Sequence, residues 1–120
     1  MIQFIGIGLA IAHYLLKQQT KLVVIARSQG PLEDLSKQYP GQVQVLAGDL
    51  ADFSLGKKAH SLATKEWKRL DGIIVNHGIL DPVKRIGNTE AEEWRSLFDI
   101  NVFSAVSIVC ILNLRQEQQI

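Results

Sequence analysis

The 120-residue sequence predicts an α/β fold in which a parallel sheet carries helices on both faces. Short apolar runs of strand length, rich in β-branched residues, alternate with segments whose apolar residues recur at helical spacing. The order along the chain is helix, strand, helix, strand, helix, strand, helix. No repeat, low-complexity tract or linker interrupts the pattern, so we expect a single domain over residues 1–120.

The predicted elements are helix 7–19, strand 21–26, helix 30–39, strand 42–47, a helix that starts near residue 54, strand 72–75 and helix 89–114. The first helix follows from apolar residues at helical spacing with no proline among them. The strands KLVVIA and GIIV are continuous apolar runs, which is typical of parallel strands buried on both faces. Pro31 suits the first turn of the second helix, and Pro40-Gly41 ends it.

The two later helices are predicted from their start signals. Asp52 or Ser54 can cap the third helix, because either side-chain oxygen can accept from an open backbone amide. Thr89-Glu90-Ala91-Glu92 is a capping-box signature for the last helix. The apolar stripe of that helix comprises Trp94, Leu97, Phe98, Val102, Ala105, Ile108, Val109 and Leu112.

Composition and charge exclude several classes of protein. With 13 basic and 12 acidic residues the net charge is +1, which argues against nucleic-acid binding and against polybasic membrane docking. A single cysteine, Cys110, excludes an internal disulfide framework and a cysteine-rich zinc site. Residues 1–16 lack the positive charge that begins a signal peptide, and the uncharged stretch 100–114 is shorter than a membrane span. We therefore expect a soluble protein of a reducing compartment, the cytoplasm.

Ligands of a parallel α/β sheet bind beyond the carboxyl ends of its strands. Gly6-Ile7-Gly8 opens the first helix, where glycines let a backbone approach a pyrophosphate and the helix N-terminus supplies free amides. Tight helix packing is the alternative reason for these glycines. Arg27-Ser28 follows the first predicted strand, where an arginine suits a ribose 2′-phosphate and an acidic residue would suit a 2′-hydroxyl. A solvated surface arginine is the alternative.

Two further turns follow predicted strands. In Gly48-Asp49-Leu50 the carboxylate can accept from an adenine amino group, or it can stabilise a turn. Asn76-His77-Gly78 can line a cofactor cleft, although ordinary hydrogen bonding also explains a histidine in a turn. His13 and His60 do not stand at ligand spacing from His77, so no metal site is expected.

Asn101 lies on or near the apolar stripe of the last helix. A buried side-chain amide needs hydrogen-bond partners, because burying it without them costs about 1–3 kcal/mol of stability. Its side chain can bond to backbone across a packed boundary. Alternatively, it can shape the helix and hold a water molecule in an active site.

The segments GIGLAIAHYLL, ARS, GDL, GIIVNHGIL and FDINVFS occur together and in this order. In combination they resemble the short-chain dehydrogenase/reductase family, and most of all small fungal reductases related to sepiapterin or benzil reductase. The resemblance runs from about Gly6 to Leu112. It implies a Rossmann-type sheet and an NADP-dependent oxidoreductase that moves hydride between nicotinamide and a small carbonyl or alcohol substrate.

The resemblance also implies roles for individual residues. The family pattern assigns the cofactor phosphates to Gly6, Ile7 and Gly8, the 2′-phosphate to Arg27 and Ser28, adenine to Asp49 and Leu50, and the ribose side to the turn Asn76, His77 and Gly78. Asn101 matches the family's structural and catalytic asparagine, which positions a proton-relay water.

The chain departs from the family pattern at both ends. Met1 and Ile2 stand where the phosphate loop begins with Thr-Gly, and the central first strand that precedes this loop is missing. We expect its loss to leave strands 21–26 and 72–75 flanking a gap or forced into a new pairing. The family's catalytic Ser and Tyr-x-x-x-Lys follow the asparagine helix, whereas here no tyrosine follows Tyr39 and no lysine follows Lys84.

The sequence therefore predicts a partial NAD(P)-binding Rossmann domain, without its first strand and C-terminal half. Its expected function is that of the cofactor-binding half of an NADP-dependent oxidoreductase, inactive as this chain. The alternative is a non-catalytic nucleotide-binding fragment, or a dimerisation fragment that pairs with full-length relatives through helix 89–114. No nucleic-acid, membrane or metal partner is expected.

Overall fold

A computed structural model of the chain describes residues 6–117, and the side chains of residues 6–111. Its elements are α1 (Ile7–Lys17), β1 (Leu22–Ala26), α2 (Gln29–Gln38), β2 (Val43–Ala47), α3 (Leu55–Trp67), a 3-10 turn (Ile86–Asn88), α4 (Ala91–Phe98), a π-helical turn (Asp99–Phe103) and α5 (Ser104–Glu117). The predicted α/β fold is confirmed, and the first four elements lie within two residues of their predicted bounds. Met1 and Ile2, which the sequence compares with the phosphate loop, lie outside the described residues.

The sheet consists of β1 and β2, which pair in parallel from Leu22 opposite Val43 to Ala26 opposite Ala47. Because side chains alternate along a strand, each strand contributes one row to each face of the sheet. On the first face, strand residues pack with α1 and α2 in a core that comprises Ala12, Leu16, Val24, Ala26, Leu32, Leu35 and Val43. These two helices therefore cover one face.

The opposite face of the sheet is covered by α3 and α5. Leu50, Leu55 and Ile108 form a second buried cluster, against which Ile25 of β1 and Leu46 of β2 pack. The expectation of helices on both faces is thus confirmed, and α5 is held to the sheet through α3.

The predicted third strand is wrong: residues 72–75 form no ladder with any part of the chain that the structure describes. Ile74 and Val75 are 55% and 40% exposed, whereas the sequence predicts burial on both faces. A strand exists only when a neighbour satisfies its backbone N–H and C=O groups. Residues 73–77 are instead separated from β1 by a cavity of about 770 Å³, which both segments line. Of the two expected outcomes, a gap and a new pairing, the described residues show the gap.

The last helix begins one residue later than its signature suggests. Glu90 occupies the cap position, and Glu93 Oε2 accepts from the backbone N–H of Glu90 at 2.9 Å. Thr89 is not the cap: its Oγ1 donates to the carbonyl of Ile86 at 2.7 Å and accepts from Nε1 of Trp94 at 2.9 Å. The predicted capping box is therefore shifted by one residue, because Thr89 is already bonded to the preceding 3-10 turn.

At the start of α3, Ser54 holds the cap position but its side chain caps no helix amide. Instead Asp52 Oδ1 accepts from the hydroxyl of Ser54 at 2.6 Å and from its backbone N–H at 2.9 Å. These bonds, together with Lys58, lower the pKa of Asp52 to about 2. Asp52 thus fixes the turn that leads into α3.

Within the helical region that starts at α4, the stretch Ala91–Ile111 has 21 residues and contains an 18-residue window with a mean hydropathy of 1.4. By length and composition alone it could cross a membrane, although the core helix of a soluble protein can pass the same test. In the fold, its buried residues Ile108 and Ile111 belong to the core. Much of its remaining surface is apolar and exposed.

Candidate functional site

The ends of β1 and β2 lie side by side. The backbone N–H of Gly48 donates to the carbonyl of Ala26 at 3.0 Å, which continues the ladder by one bond beyond the strands. The turns that follow the two strands, 27–28 and 48–50, therefore share one edge of the sheet. This is the edge at which parallel α/β sheets bind ligands.

The first turn of α1 reaches the same edge. Only residues 18–21 separate α1 from β1, and Ala12 and Leu16 pack in one cluster with Val24 and Ala26, so the helix runs back along the strand. The eleven residues of α1 and the five residues of β1 have nearly the same length, about 16 Å. The N-terminus of α1 is thus level with the carboxyl end of β1.

Gly6 caps α1 with φ 106° and ψ −137°, a conformation that L-residues rarely adopt. The first helical bond runs from the N–H of Ala10 to the carbonyl of Gly6 at 3.1 Å. The amides of Ile7, Gly8 and Leu9 therefore have no acceptor within the helix. Together with the helix dipole they form a site that suits an anionic oxygen.

Arg27 and Ser28 are exposed where β1 ends. Ser28 occupies the cap position of α2, yet its hydroxyl bonds to no helix amide. Neither side chain makes a hydrogen bond or ion pair with any residue that the structure describes. A guanidinium and a hydroxyl are thus available to a phosphate at this edge.

Asp49 and Leu50 are partly engaged within the protein. Asp49 Oδ1 accepts from the backbone N–H of Ala51 at 3.0 Å, the turn-stabilising role that the sequence left open. Leu50 is 4% exposed, belongs to the core cluster with Leu55 and Ile108, and also lines the cavity. An adenine could therefore contact Leu50 only from the side of the cavity.

The cavity brings together part of the predicted set. Among its lining residues are Gly8, Leu50, Asn76 and His77. The other predicted residues do not line it: Gly6, Ile7, Arg27, Ser28, Asp49, Gly78 and Asn101. The arrangement is therefore a mainly apolar cleft, whose polar lining residues include Asn76 and His77 and also Lys21, directly before β1, Arg69 and Asp71.

Asn101 joins the π-helical turn to the turn after residue 75. Its Oδ1 accepts from the backbone N–H of Ile79 at 2.7 Å, and its Nδ2 donates to the carbonyl of Ile79 at 2.8 Å. A Cβ on Gly78 would lie 3.4 Å from the same Oδ1, so the two segments approach closely. Of the two sequence interpretations, bonding to backbone across a packed boundary is the one that these contacts fit.

His77 makes a second link between the same segments. Its Nε2 lies 3.1 Å from the carbonyl oxygen of Ile100 and 2.6 Å from Oγ of Ser104, which is 1% exposed. Burial lowers the pKa of His77, while the bond to Ile100 opposes that shift. Ser104 is not among the residues predicted from the sequence, although a serine three residues after Asn101 in an apolar helix is a usable signal.

These groups can hold an anionic nucleotide at the carboxyl edge. The donors are the open amides of α1 and the guanidinium of Arg27, which suit phosphate, and the adjoining cleft is lined mainly by apolar residues. Among the side chains that the structure describes, those of residues 6–111, no three His, Cys, Asp or Glu come together in a way that could bind a metal ion.

Comparison with known proteins identifies the family. The family model for short chain dehydrogenases matches residues 4–115. The chain belongs to the short-chain dehydrogenase family. That assignment confirms the resemblance noted in the sequence, and it identifies the two strands and their helices as part of a Rossmann-type sheet.

Several fungal members of the short-chain dehydrogenase family are similar to this chain. An uncharacterized oxidoreductase of Schizosaccharomyces pombe is 41% identical over 105 residues, which cover 87% of this chain and 41% of that protein. A benzil reductase, (S)-benzoin forming, of Saccharomyces cerevisiae is 32% identical, with 88% and 43% covered. The crystal structure of a Saccharomyces cerevisiae short-chain dehydrogenase/reductase superposes with a TM-score of 0.84 at 33% identity, covering 88% and 43%. The chain thus spans about two fifths of the length of these relatives.

Proposed function

We propose that this chain is the cofactor-binding half of an NADP-dependent short-chain oxidoreductase. The observation that carries the proposal is that the open first turn of α1 and the unpaired Arg27 lie at the same edge of the sheet. The helix N-terminus suits the pyrophosphate, and the guanidinium suits a 2′-phosphate, which NADP has and NAD lacks.

In this proposal the dinucleotide lies along the carboxyl edge. The open amides at Gly6, Ile7 and Gly8 hold its phosphates, and Arg27 and Ser28 hold the 2′-phosphate. Leu50 contacts adenine from the cavity side, and the carboxylate of Asp49 accepts from the adenine amino group. Asn76, His77 and Gly78 line the ribose side. The bound nicotinamide supplies hydride chemistry for a small carbonyl or alcohol.

We further propose that the 120-residue chain binds the cofactor without turning it over. No tyrosine follows Tyr39 and no lysine follows Lys84, so the general-acid pair that the family pattern places after the asparagine helix is not encoded in these residues. Asn101 has both ends of its amide bonded to Ile79, which favours a structural role for its side chain here.

Cofactor titrations test the nucleotide preference. We expect the chain to bind NADPH more tightly than NADH, measured by calorimetry at fixed ionic strength. Arg27→Asp should weaken NADPH binding by about 10-fold or more, because charge-assisted hydrogen bonds contribute about 1.5–3 kcal/mol, and should leave NADH nearly unchanged. Arg85→Asp, at another exposed arginine, is the control for net charge. Equal affinities for both cofactors, or no effect of Arg27→Asp, would contradict the proposal.

The absence of turnover is tested separately. We expect the purified chain to bind NADPH and yet to consume none of it in the presence of benzil or other small carbonyl compounds. Clear consumption, proportional to the concentration of the chain, would show that these 120 residues contain a complete catalytic set.

A second proposed function is self-association through the last helix, and a specific surface favours it. Four apolar side chains repeat every four residues along α4, the π-helical turn and the start of α5 and are 39–54% exposed: Trp94, Phe98, Val102 and Val106. We refer to them as the exposed row. A contiguous apolar strip of this kind typically marks an interaction site. Its proposed occupant is the same row of a second copy, or of a full-length relative, about a two-fold axis.

Sedimentation equilibrium tests the exposed row. Wild type should associate as its concentration rises, and Phe98→Glu should shift it to the monomer, since a charge would be buried in the interface. Val83→Glu, at an apolar side chain that is 77% exposed but lies outside the row, is the control. A wild-type monomer at every concentration would refute this function and leave the cofactor proposal untouched.

We also propose a cytoplasmic location, with no nucleic-acid or membrane partner. The net charge of +1 and the free, exposed Cys110 support it, since a reducing compartment keeps such a thiol unpaired. Cell fractionation tests the location, because recovery of the chain with membranes after a salt wash would contradict it.

A further inference from the structure

The π-helical turn leaves one carbonyl of the last helix without its usual partner. In a regular α-helix the N–H of Ser104 would donate to Ile100, but here it donates to the carbonyl of Asp99. A carbonyl inside a protein needs another donor. Two side chains provide one: the hydroxyl of Ser104 donates to the carbonyl of Ile100, and Nε2 of His77 lies 3.1 Å from the same oxygen.

The direction of these bonds follows from the donors available. Ser104 gives its only hydroxyl hydrogen to Ile100, so its oxygen is left as an acceptor for His77 Nε2 at 2.6 Å. Nε2 must therefore carry a hydrogen, which both oxygens share. The three groups close a small network in which Ser104 is 1% exposed.

This network stands beside the Asn101 link. His77 belongs to the turn that follows residue 75, and Ile79 is two residues further on. His77 is bonded to Ile100 and Ser104 at the two ends of the π-helical turn, while Asn101, inside that turn, is bonded to Ile79. Residues 77–79 are therefore tied twice to one short stretch of helix.

We propose that His77 is a positioning residue: by donating to Ser104 and Ile100 it fixes the π-helical turn, and with it the turn 76–79 that borders the cofactor cleft. The significance for NADP rests on the function proposed above. The positioning itself does not, because it is a property of the free chain.

Two substitutions that introduce side chains of similar size, His77→Gln and His77→Asn, test whether Nε2 of His77 is the donor that matters. In His77→Gln the side-chain amide reaches the place of Nε2, whereas in His77→Asn it reaches only the place of Nδ1. The readout is hydrogen exchange of the Ile79 backbone amide, whose N–H donates to Asn101 Oδ1. It is measured in the 120-residue chain without cofactor. We expect His77→Asn to lower its protection by about 3- to 10-fold, the factor expected for one lost hydrogen bond, and His77→Gln to preserve it.

Amides of β1 provide the reference for overall stability. The inference is overturned if His77→Asn leaves Ile79 protected as in wild type, if Gln is as harmful as Asn, or if the β1 amides lose protection by the same factor as Ile79. If His77→Asn does not fold, Ser104→Ala removes the central oxygen of the network and should lower Ile79 protection in the same way. Unchanged protection in Ser104→Ala then overturns the inference.

NADPH affinity is the second readout. It should fall in His77→Asn and recover in His77→Gln, in parallel with Ile79 protection. If wild type binds no NADPH, the proposed function fails while the exchange experiment still decides the role of His77. If NADPH binds with the same affinity to wild type and to both variants although Ile79 protection changes, the proposed link from the turn to the cofactor is wrong.

Discussion

Substitution of Gly56 by alanine tests how α5 is held against α3, and thereby what supports the π-helical turn. Gly56 is buried near the start of α3. A Cβ at this position would lie 2.5 Å from Cδ1 of Ile111, 3.3 Å from Cα of Ile108 and 3.4 Å from Cγ1 of Ile108. The Ile111 methyl group is the end of a flexible side chain and can move, whereas Cα of Ile108 is backbone and moves only with the helix.

Two opposing effects determine how much Gly56→Ala changes the free energy of unfolding. Overpacking a tight contact costs about 1–3 kcal/mol, and replacing glycine by alanine within a helix returns up to about 1 kcal/mol. We therefore expect Gly56→Ala to reduce the free energy of unfolding by about 1–2 kcal/mol. In an Ile111→Ala background, which removes the 2.5 Å contact, the cost of Gly56→Ala should be smaller.

Urea unfolding followed by circular dichroism measures this difference. Gly87→Ala is the control, since a Cβ on Gly87 would meet nothing within 4 Å and its backbone needs no positive φ. The control should unfold within about 0.5 kcal/mol of wild type. A Gly56→Ala protein at least as stable as wild type would refute the close packing of α5 on α3.

The remaining predictions concern the links around the candidate site. Asn101→Ala should lower the free energy of unfolding in urea by about 1–3 kcal/mol, because the N–H and carbonyl of Ile79 lose their partners. The control, Asn88→Ala, lies in an exposed turn and should lower it little. Equal effects of the two substitutions would contradict this prediction. Since burial lowers the pKa of His77, the unfolded chain binds its proton more readily, so stability should fall as the pH drops below about 6.5. Urea midpoints at pH 5 and pH 8 should differ less in His77→Gln than in wild type, and an unchanged difference would exclude His77 as the source.

Much of the fold could be predicted from the sequence, because its signals are local. Apolar periodicity and a nearby Pro-Gly pair are enough to place α1, β1, α2 and β2. The segment GIIV shows the limit of this reasoning. Its composition is that of a buried parallel strand, but strand formation depends on a hydrogen-bonded neighbour, and none is found within residues 6–117. Composition reports what a segment prefers and not whether a partner is present.

The candidate site was predictable to a similar degree. Residues that follow strands could be expected at one edge, since parallel strands end together, and the bond between Gly48 and Ala26 fits this. Ser104 could have been singled out as a serine in an apolar helix, but its partners and those of Asn101 could not be predicted. They depend on a π-helical turn that shifts one backbone bond, and no propensity of the individual residues indicates such a turn.

The proposed function rests on binding of NADP at the carboxyl edge formed by α1, β1 and β2. Titration of the isotope-labelled chain with NADP⁺, followed by amide chemical shifts, tests it most directly. We expect the largest shifts at residues 6–9, 27–28, 48–50 and 76–78, with smaller shifts for the same residues on addition of NAD⁺. No shifts at millimolar NADP⁺, or shifts confined to residues outside these four segments, would contradict it.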